Sequence, residues 1–427
     1  MHRGKRSMPQ RTICAGRLTI PVVAGFSMRI EFHRNRKTMV LEHSYNVSDV
    51  RKAAAAALPR PIFDYIDGGA DDEITQRRNS DAFAGYDLLP SVLGSTKEIQ
   101  VATRALGCKL SWPLLLSPTG LTRMFHDDAE IAVARAAERH GVPYCLSTMA
   151  TTTIEDLAHA TAGPKLFQIY IFKDRGLTNE FVARAKASRY DGLVLTVDTP
   201  VAGNRERDRV NGLSLPPRLT FKNVLSFARH PAWAWGALRG RRFNFVNVAH
   251  KVDRLSKGPM SLFQYIDEQF DQHIGWDDLE RLASAWGGPL AVKGIMRPDD
   301  SVRAVQHGAS AVMISNHGGR QLDGAPAAID QIAANAEALN GRGEIICDGG
   351  IRRGSDIVKA LALGATACSI GRPYLYGLAA AGERGVDHVL SILRAEFQRT
   401  LVLAGIRDVA TITSDRIRPR RQIARLI

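Results

Sequence analysis

Eight short apolar runs, separated by stretches of helical pattern, recur from residue 113 onward and leave few folds open to this chain. They are Pro113–Ser117, Pro143–Ser147, Lys165–Tyr170, Gly192–Val197, Pro289–Lys293, Ala311–Ser315, Glu344–Asp348 and Thr366–Gly371. Short apolar runs alternating with helices mark a parallel sheet. Eight such units predict an α/β protein, a TIM (β/α)8 barrel. A polar group stands at or just past the C-terminal end of each run: Thr119, Ser147, Gln168 with Tyr170, Thr196 with Asp198, Lys293, His317, Asp348 and Arg372. One polar strand end is a turn cap. A polar group on all eight points to a ring around a ligand, because barrel sites sit at that face. Runs seven and eight lead into Asp348-Gly349-Gly350-Ile351-Arg352 and Gly371-Arg372. Glycines expose backbone N–H groups and arginines add charge-assisted donors, a pattern suited to the phosphate of a cofactor.

Size and composition agree with one large barrel. The 427 residues are 45% hydrophobic, enough for a sizeable core, and no apolar run is long enough to span a bilayer. Of the five cysteines, Cys145, Cys347 and Cys368 lie inside apolar runs and no CxxC pairing occurs. That argues against a disulfide framework or a metal site, and a reducing compartment fits. The net charge of +14 is unevenly spread. Residues 1–38 hold nine Lys/Arg against one acid, and residues 218–258 hold the same, so the remainder is close to neutral. No zinc-finger, helix-turn-helix or RNA-binding pattern accompanies the charge, so no nucleic-acid partner is expected.

The first basic segment, 1–38, reads as an extension, with the barrel protein occupying 39–427. A helical pattern over Val47–Leu58, with Ser48 as N-cap, is expected to break at Pro59 and Pro61. The second basic segment lies in an insertion of about ninety residues between strands four and five, far longer than an ordinary βα connection. There the charges interleave with Phe221, Phe227, Trp233, Trp235, Phe243 and Phe245. Aromatic anchors beside Lys and Arg suit an anionic membrane surface, or else a lid packed on the barrel.

The sixth run leads into Ser315-Asn316-His317-Gly318-Gly319-Arg320-Gln321-Leu322-Asp323. The glycine pair lets the backbone bend and approach a ligand closely. His317 is a candidate base and Arg320 a bidentate carboxylate grip.

This nonapeptide resembles the signature of the FMN-dependent 2-hydroxy acid dehydrogenases and oxidases, among them L-lactate dehydrogenase, mandelate dehydrogenase and glycolate oxidase. The resemblance extends over residues 45 to 415. It implies that Ser147, Gln168 and Thr196 hydrogen-bond the FMN ring, with Pro118-Thr119-Gly120 passing its reactive face and Lys293 beside it. Ser315, Gly349 and Gly350 join the cofactor site, Asp348 meets the ribityl chain, and Arg352, Gly371 and Arg372 hold the phosphate. His317 takes a proton from the substrate, oriented by Asp198. Arg320 and Tyr65 hold the substrate carboxylate, Arg205 lies near it, and Tyr170 touches the substrate hydroxyl. Whether the α-hydrogen leaves as a proton or a hydride stays open.

Three positions set the branch. Met149 and Ala202 stand where short-chain oxidases carry bulkier residues, which implies a roomier pocket for lactate- or mandelate-type acids. Gly120 resembles the dehydrogenase branch, whose electrons go to quinone or the respiratory chain; the alternative is an oxidase that makes peroxide. The membrane-bound members of the family also imply a peripheral place at the cytoplasmic face of the inner membrane, or else in the cytoplasm, and a homotetramer.

Overall fold

Each apolar run forms a strand: β1 Leu114–Leu116, β2 Tyr144–Ser147, β3 Lys165–Ile169, β4 Gly192–Thr196, β5 Leu290–Ile295, β6 Ala311–Ser315, β7 Glu344–Asp348 and β8 Ala367–Ile370. All neighbours are parallel, and β8 closes on β1 with Cys368 opposite Leu114. Parallel neighbours need helical crossovers, and helices follow the strands to build a closed TIM barrel. The structure is a computed structural model that describes residues 41–93, 98–212, 221–239, 245–248 and 269–420.

The position of the site follows from the two-residue period of a strand. Leu115, Cys145, Leu166, Val194, Ala291, Met313, Ile346 and Ala367 form one buried cluster. Residues i and i+2 share a strand face. Two places on from these apolar residues stand Ser117, Ser147, Gln168, Thr196, Lys293, Ser315, Asp348 and Ser369. A polar layer therefore lies directly above an apolar plug, at the C-terminal mouth. The opposite mouth is stoppered by the hairpin Thr103–Ala105/Cys108–Leu110, whose Leu106 N–H donates to Glu344 Oε2 at 2.7 Å. Each fully buried Leu, Val or Phe in these layers contributes roughly 1.5–3 kcal/mol.

Two local expectations are corrected. Asn46, not Ser48, caps the first helix, α1 (Val47–Ala57), because its Oδ1 accepts from Asp49 N–H at 3.0 Å. Pro61 starts a helix rather than ending one: it lies in the first turn of α2 (Arg60–Asp67), where a missing N–H costs nothing. Strand β5 also runs past Lys293, through an irregularity at Gly294 with φ 108°. A third helix, α3 (Ile74–Asp81), follows α2 before the barrel begins. Arg51 of α1 grips Asp67 at the end of α2 with two 2.6 Å hydrogen bonds, and Tyr376 adds a third at 2.8 Å.

The extension 1–38 and much of 218–258 lie outside the described residues. Within the insertion, α4 (Phe221–Ala228) and α5 (Pro231–Arg239) are described. Its aromatics do not act as one face. Trp233 donates to Met124 O at 2.8 Å and stacks on Phe227 at 5.3 Å, while Phe245 is buried. Trp235, Val224 and Leu225 are exposed. No helix of the described residues is long and apolar enough to cross a membrane.

Candidate active site

A cavity of about 940 Å³ opens at the C-terminal mouth of the barrel. The polar ring forms its floor. Ser147 Oγ donates to Gln168 Oε1 at 3.0 Å, which orients that amide and turns its Nε2 away. Gln168 Nε2 and Thr196 Oγ1 are both buried without a hydrogen-bond partner among the described residues, and both residues line the cavity. Buried polar groups are almost always satisfied. Two such atoms on adjacent strands leave hydrogen-bonding capacity at the cavity floor that a polar ligand could meet.

Lys293 rises beside them, 4% exposed. Its Nζ lies 3.2 Å from Asp348 and 4.0 Å from Asp198, and donates to Ser315 Oγ at 3.0 Å. Burial favours the neutral amine, but Asp348 and Asp198 outweigh it and hold the ammonium above its ordinary value. Asp348 is buried as well, which opposes its charge, yet Lys293, Ser117 and Ser315 hold it below the usual carboxylate range. The cavity floor thus carries a buried ammonium held between two carboxylates.

The turn after β6 places the imidazole. His317, Gly318 and Gly319 take φ values of 57°, 66° and 72°, three consecutive left-handed residues. Asn316 Oδ1 accepts from Gly319 N–H at 3.1 Å and His317 N–H donates to Ser315 Oγ at 3.1 Å. His317 Nδ1 meets Asp198 Oδ1 at 2.9 Å. That contact assigns the proton to Nδ1 and leaves Nε2 as the nitrogen open to a ligand. Burial raises the Asp198 carboxyl, but His317 and Lys293 overcome this and keep it ionised.

On the facing wall, Arg320 and Arg205 stand over the ring of Tyr65, with guanidinium carbons 5.0 and 5.6 Å from its centroid. Arg320 Nη1 donates to Tyr65 O at 2.6 Å and Gly68 O at 3.1 Å, and Arg205 Nε to Asp208 Oδ2 at 2.7 Å. Tyr170 lines the same space, and burial pushes its hydroxyl pKa up. Pro118, Thr119 and Gly120 form the rim, where Thr119 Oγ1 and Tyr374 Oη are 2.8 Å apart. A Cβ on Gly120 would come 3.0 Å from Met149 Cβ, so the rim is already tight there.

At the far end, Gly349 and Gly350 adopt φ 132° and 80°, and Arg352 and Gly371 line the cavity. Arg372 is placed differently from a simple phosphate grip. Its fork donates to Ile66 O at 3.1 Å, Gly318 O at 2.8 Å and Gly68 O at 2.8 Å. Gly371 is the N-cap of α6 (Arg372–Ala381), whose first N–H groups have no partners within the helix. An anion there would meet a helix N-terminus with Arg352 beside it.

Several wall residues escaped the sequence reading. Ser117 and Ser369 complete the floor: Ser117 Oγ donates to Asp348 and also contacts Ser369. Their place two residues past a buried strand position is the signal that locates them. Phe125, Phe245 and Phe270 form an aromatic wall. Phe270 meets Tyr170 edge-on at 5.1 Å, and a β-bridge to Phe172 holds it. Nothing in the insertion's pattern marks it.

The orphaned donors, the glycine turns and Arg320, Arg352 and Arg372, whose side chains have no carboxylate partner among the described residues, fit a cofactor with a flat polar ring and a phosphate. A family model described as FMN-dependent dehydrogenase matches residues 54–419. The chain is 40% identical over 369 residues to an L-lactate dehydrogenase of Alcaligenes faecalis, covering 86% of this chain and 97% of that one. It is 42% identical over 371 residues to an L-lactate oxidase of Nostoc sp., covering 86% and 96%. The crystal structure of a monotopic membrane protein, (S)-mandelate dehydrogenase, superposes with a TM-score of 0.85 at 37% identity, over 88% of this chain and all of that one. The chain therefore belongs to the FMN-dependent dehydrogenase family, and FMN is its cofactor.

Proposed function

We propose that this enzyme oxidises an (S)-2-hydroxy acid of the lactate or mandelate type to the 2-oxo acid. FMN, when bound, would supply the two-electron acceptor. The observation that carries the reading is His317, paired with Asp198 at 2.9 Å and facing the wall of Arg320, Arg205 and Tyr65. Arg320 and Tyr65, with Arg205 close by, hold the substrate carboxylate, and Tyr170 meets its hydroxyl. His317 Nε2 takes up the proton that the substrate loses, and Asp198 stabilises the imidazolium that results.

Ser147, Gln168 and Thr196 would hold the ring of the cofactor, with Pro118, Thr119 and Gly120 at the rim, and Lys293 would supply positive charge in the same cavity. Asp348, with Ser315, steadies Lys293 and offers its remaining lone pairs to the ribityl chain. Gly349, Gly350, Arg352 and the start of α6 at Gly371 and Arg372 receive the phosphate.

Gly120 and the exposed residues of α4 and α5 favour a dehydrogenase that gives its electrons to quinone or the respiratory chain at a membrane surface. The relation to an L-lactate oxidase supports the second reading, transfer to oxygen with peroxide as product. A homotetramer is the assembly implied by the family, and light scattering measures it. One experiment tests the function: anaerobic bleaching of the bound flavin with a panel of 2-hydroxy acids, followed by oxygen electrode measurements. Bleaching by L-lactate or (S)-mandelate without oxygen uptake supports the dehydrogenase. Rapid oxygen uptake makes it an oxidase, and no bleaching by any acid defeats the assignment.

A further inference from the structure

Helix α3 lies outside the barrel, yet it seats along the Ser315–Asp323 turn at three points. At its start, Asp323 accepts from Thr75 N–H at 2.7 Å and Ile74 N–H at 3.2 Å. The helix's own N-cap, Glu73, gives no side-chain cap and sits at φ 58°. In the middle, Gly319 comes so close that a Cβ would lie 2.5 Å from Gln76 N, and Gly319 O accepts from Ala70 N–H at 2.8 Å. Toward its end, Asn79 and Asn316 form a reciprocal amide pair, each donating to the other at 2.8 Å. Both are buried, 3% and 6% exposed. Asn316 also donates to Pro326 O at 2.8 Å, which fixes its amide from a second side. The backbone carbonyl of Asn79 packs on Gly350, next to the region assigned to the cofactor phosphate.

We propose that Asn79 is a positioning residue for catalysis: its amide pair with Asn316 holds the turn in which His317 adopts its left-handed conformation. A non-glycine residue at positive φ persists only where its surroundings over-determine it. Here Asn316 is the residue immediately before His317, and Asn79 occupies both polar ends of its amide. Without that brace the backbone of His317 relaxes toward negative φ, which redirects its Cβ and pulls the imidazole off Asp198. Asn79 itself does not line the cavity. The proposal rests on His317 being the base.

The test uses the FMN-loaded enzyme with Asn79→Ala and, as a milder change, Asn79→Ser. The rate constant for anaerobic flavin reduction is expected to fall roughly 10- to 100-fold, the scale of a misplaced catalytic group. Oxalate affinity, which probes the arginine wall, and FMN affinity by fluorescence quenching should each change less than about threefold. Combining Asn79→Ala with Asn316→Ala should add little further loss, because the two amides act as one unit. Reduction within twofold of wild type in both variants overturns the proposal. So does a loss of rate in which oxalate and FMN affinities, or folding itself, fail together, since that marks a general structural part. A normal Asn79→Ala enzyme beside an inactive His317→Ala enzyme defeats only the positioning. A near-normal His317→Ala enzyme defeats the base assignment instead.

Discussion

Two groups of charges share the mouth of the barrel, and they are built on opposite principles. Lys293, Asp348, Asp198 and His317 pair with one another within 4.0 Å. Arg320 and Arg372 rest their forks on backbone carbonyls instead. Their pKa values show the cost. Burial, and then neighbouring Arg205, lowers Arg320. Burial pulls Arg372 down to about 10, with Arg320 and Arg352 adding to the effect against Tyr376. The first group is complete before any ligand arrives and acts as a fixed reference for the chemistry. The second is positive charge held on carbonyl dipoles, with no carboxylate at either fork among the described residues.

The largest test of this contrast is His317→Ala. Flavin reduction should drop by about 10²- to 10⁴-fold, the usual contribution of a general base. Oxalate should still bind, because the arginine wall is untouched, and stopped-flow with a binding titration reads both.

Lys293→Met should come next. It leaves two buried carboxylates without their cation and should cost roughly 3–5 kcal/mol of stability in chemical denaturation near neutral pH. The pH dependence follows from the directions of the shifts. Asp198 and Asp348 are held below their ordinary value, so their contribution is present above about pH 4 and is lost as pH falls through the folded-state values. Lys293 is raised, so its contribution is present below about pH 10 and is lost only at higher pH. The gap between wild type and Lys293→Met should therefore be widest between these limits and should narrow in acid.

Arg320→Met should do the reverse. Apoenzyme stability should hold or rise, since a like charge beside Arg205 is removed. Oxalate affinity should fall by roughly 2–5 kcal/mol in calorimetry. A large loss of apoenzyme stability would show that the two groups are not different in kind.

The smallest effect is expected for Asp198→Asn. It keeps the shape but weakens a charged hydrogen bond worth about 1.5–3 kcal/mol, so reduction should slow by roughly 10- to 100-fold. An unchanged rate would leave Asp198 as a partner of Lys293 alone.

What could be read from the chain, and what could not, follows the range of the interactions. The strands were legible because a buried parallel strand needs only local information, an apolar run with turn residues beside it. Lys293 and Asp348 stood out for the same reason, as charges at strand ends. The irregular step at Gly294 hid the true end of β5. The pairing of His317 with Asp198 spans 119 residues, and only a resemblance to a known family places the two together in advance. The Asn79–Asn316 pair spans 237 residues, and asparagine in a polar helix carries no mark of burial. Phe245 reads as a surface aromatic among arginines, yet it is buried and lines the cavity, a contact with distant residues that no local period marks.

Residues toward both ends of the insertion line the cavity: Arg205 lies near its start, and Phe270, against Tyr170, lies toward its end. Any partner that holds this segment in one arrangement thereby selects one arrangement of two cavity walls. Thermodynamic linkage then makes the influence reciprocal. Whatever factor such a partner adds to substrate affinity, bound substrate must add to affinity for the partner, and both must be measured together to know either.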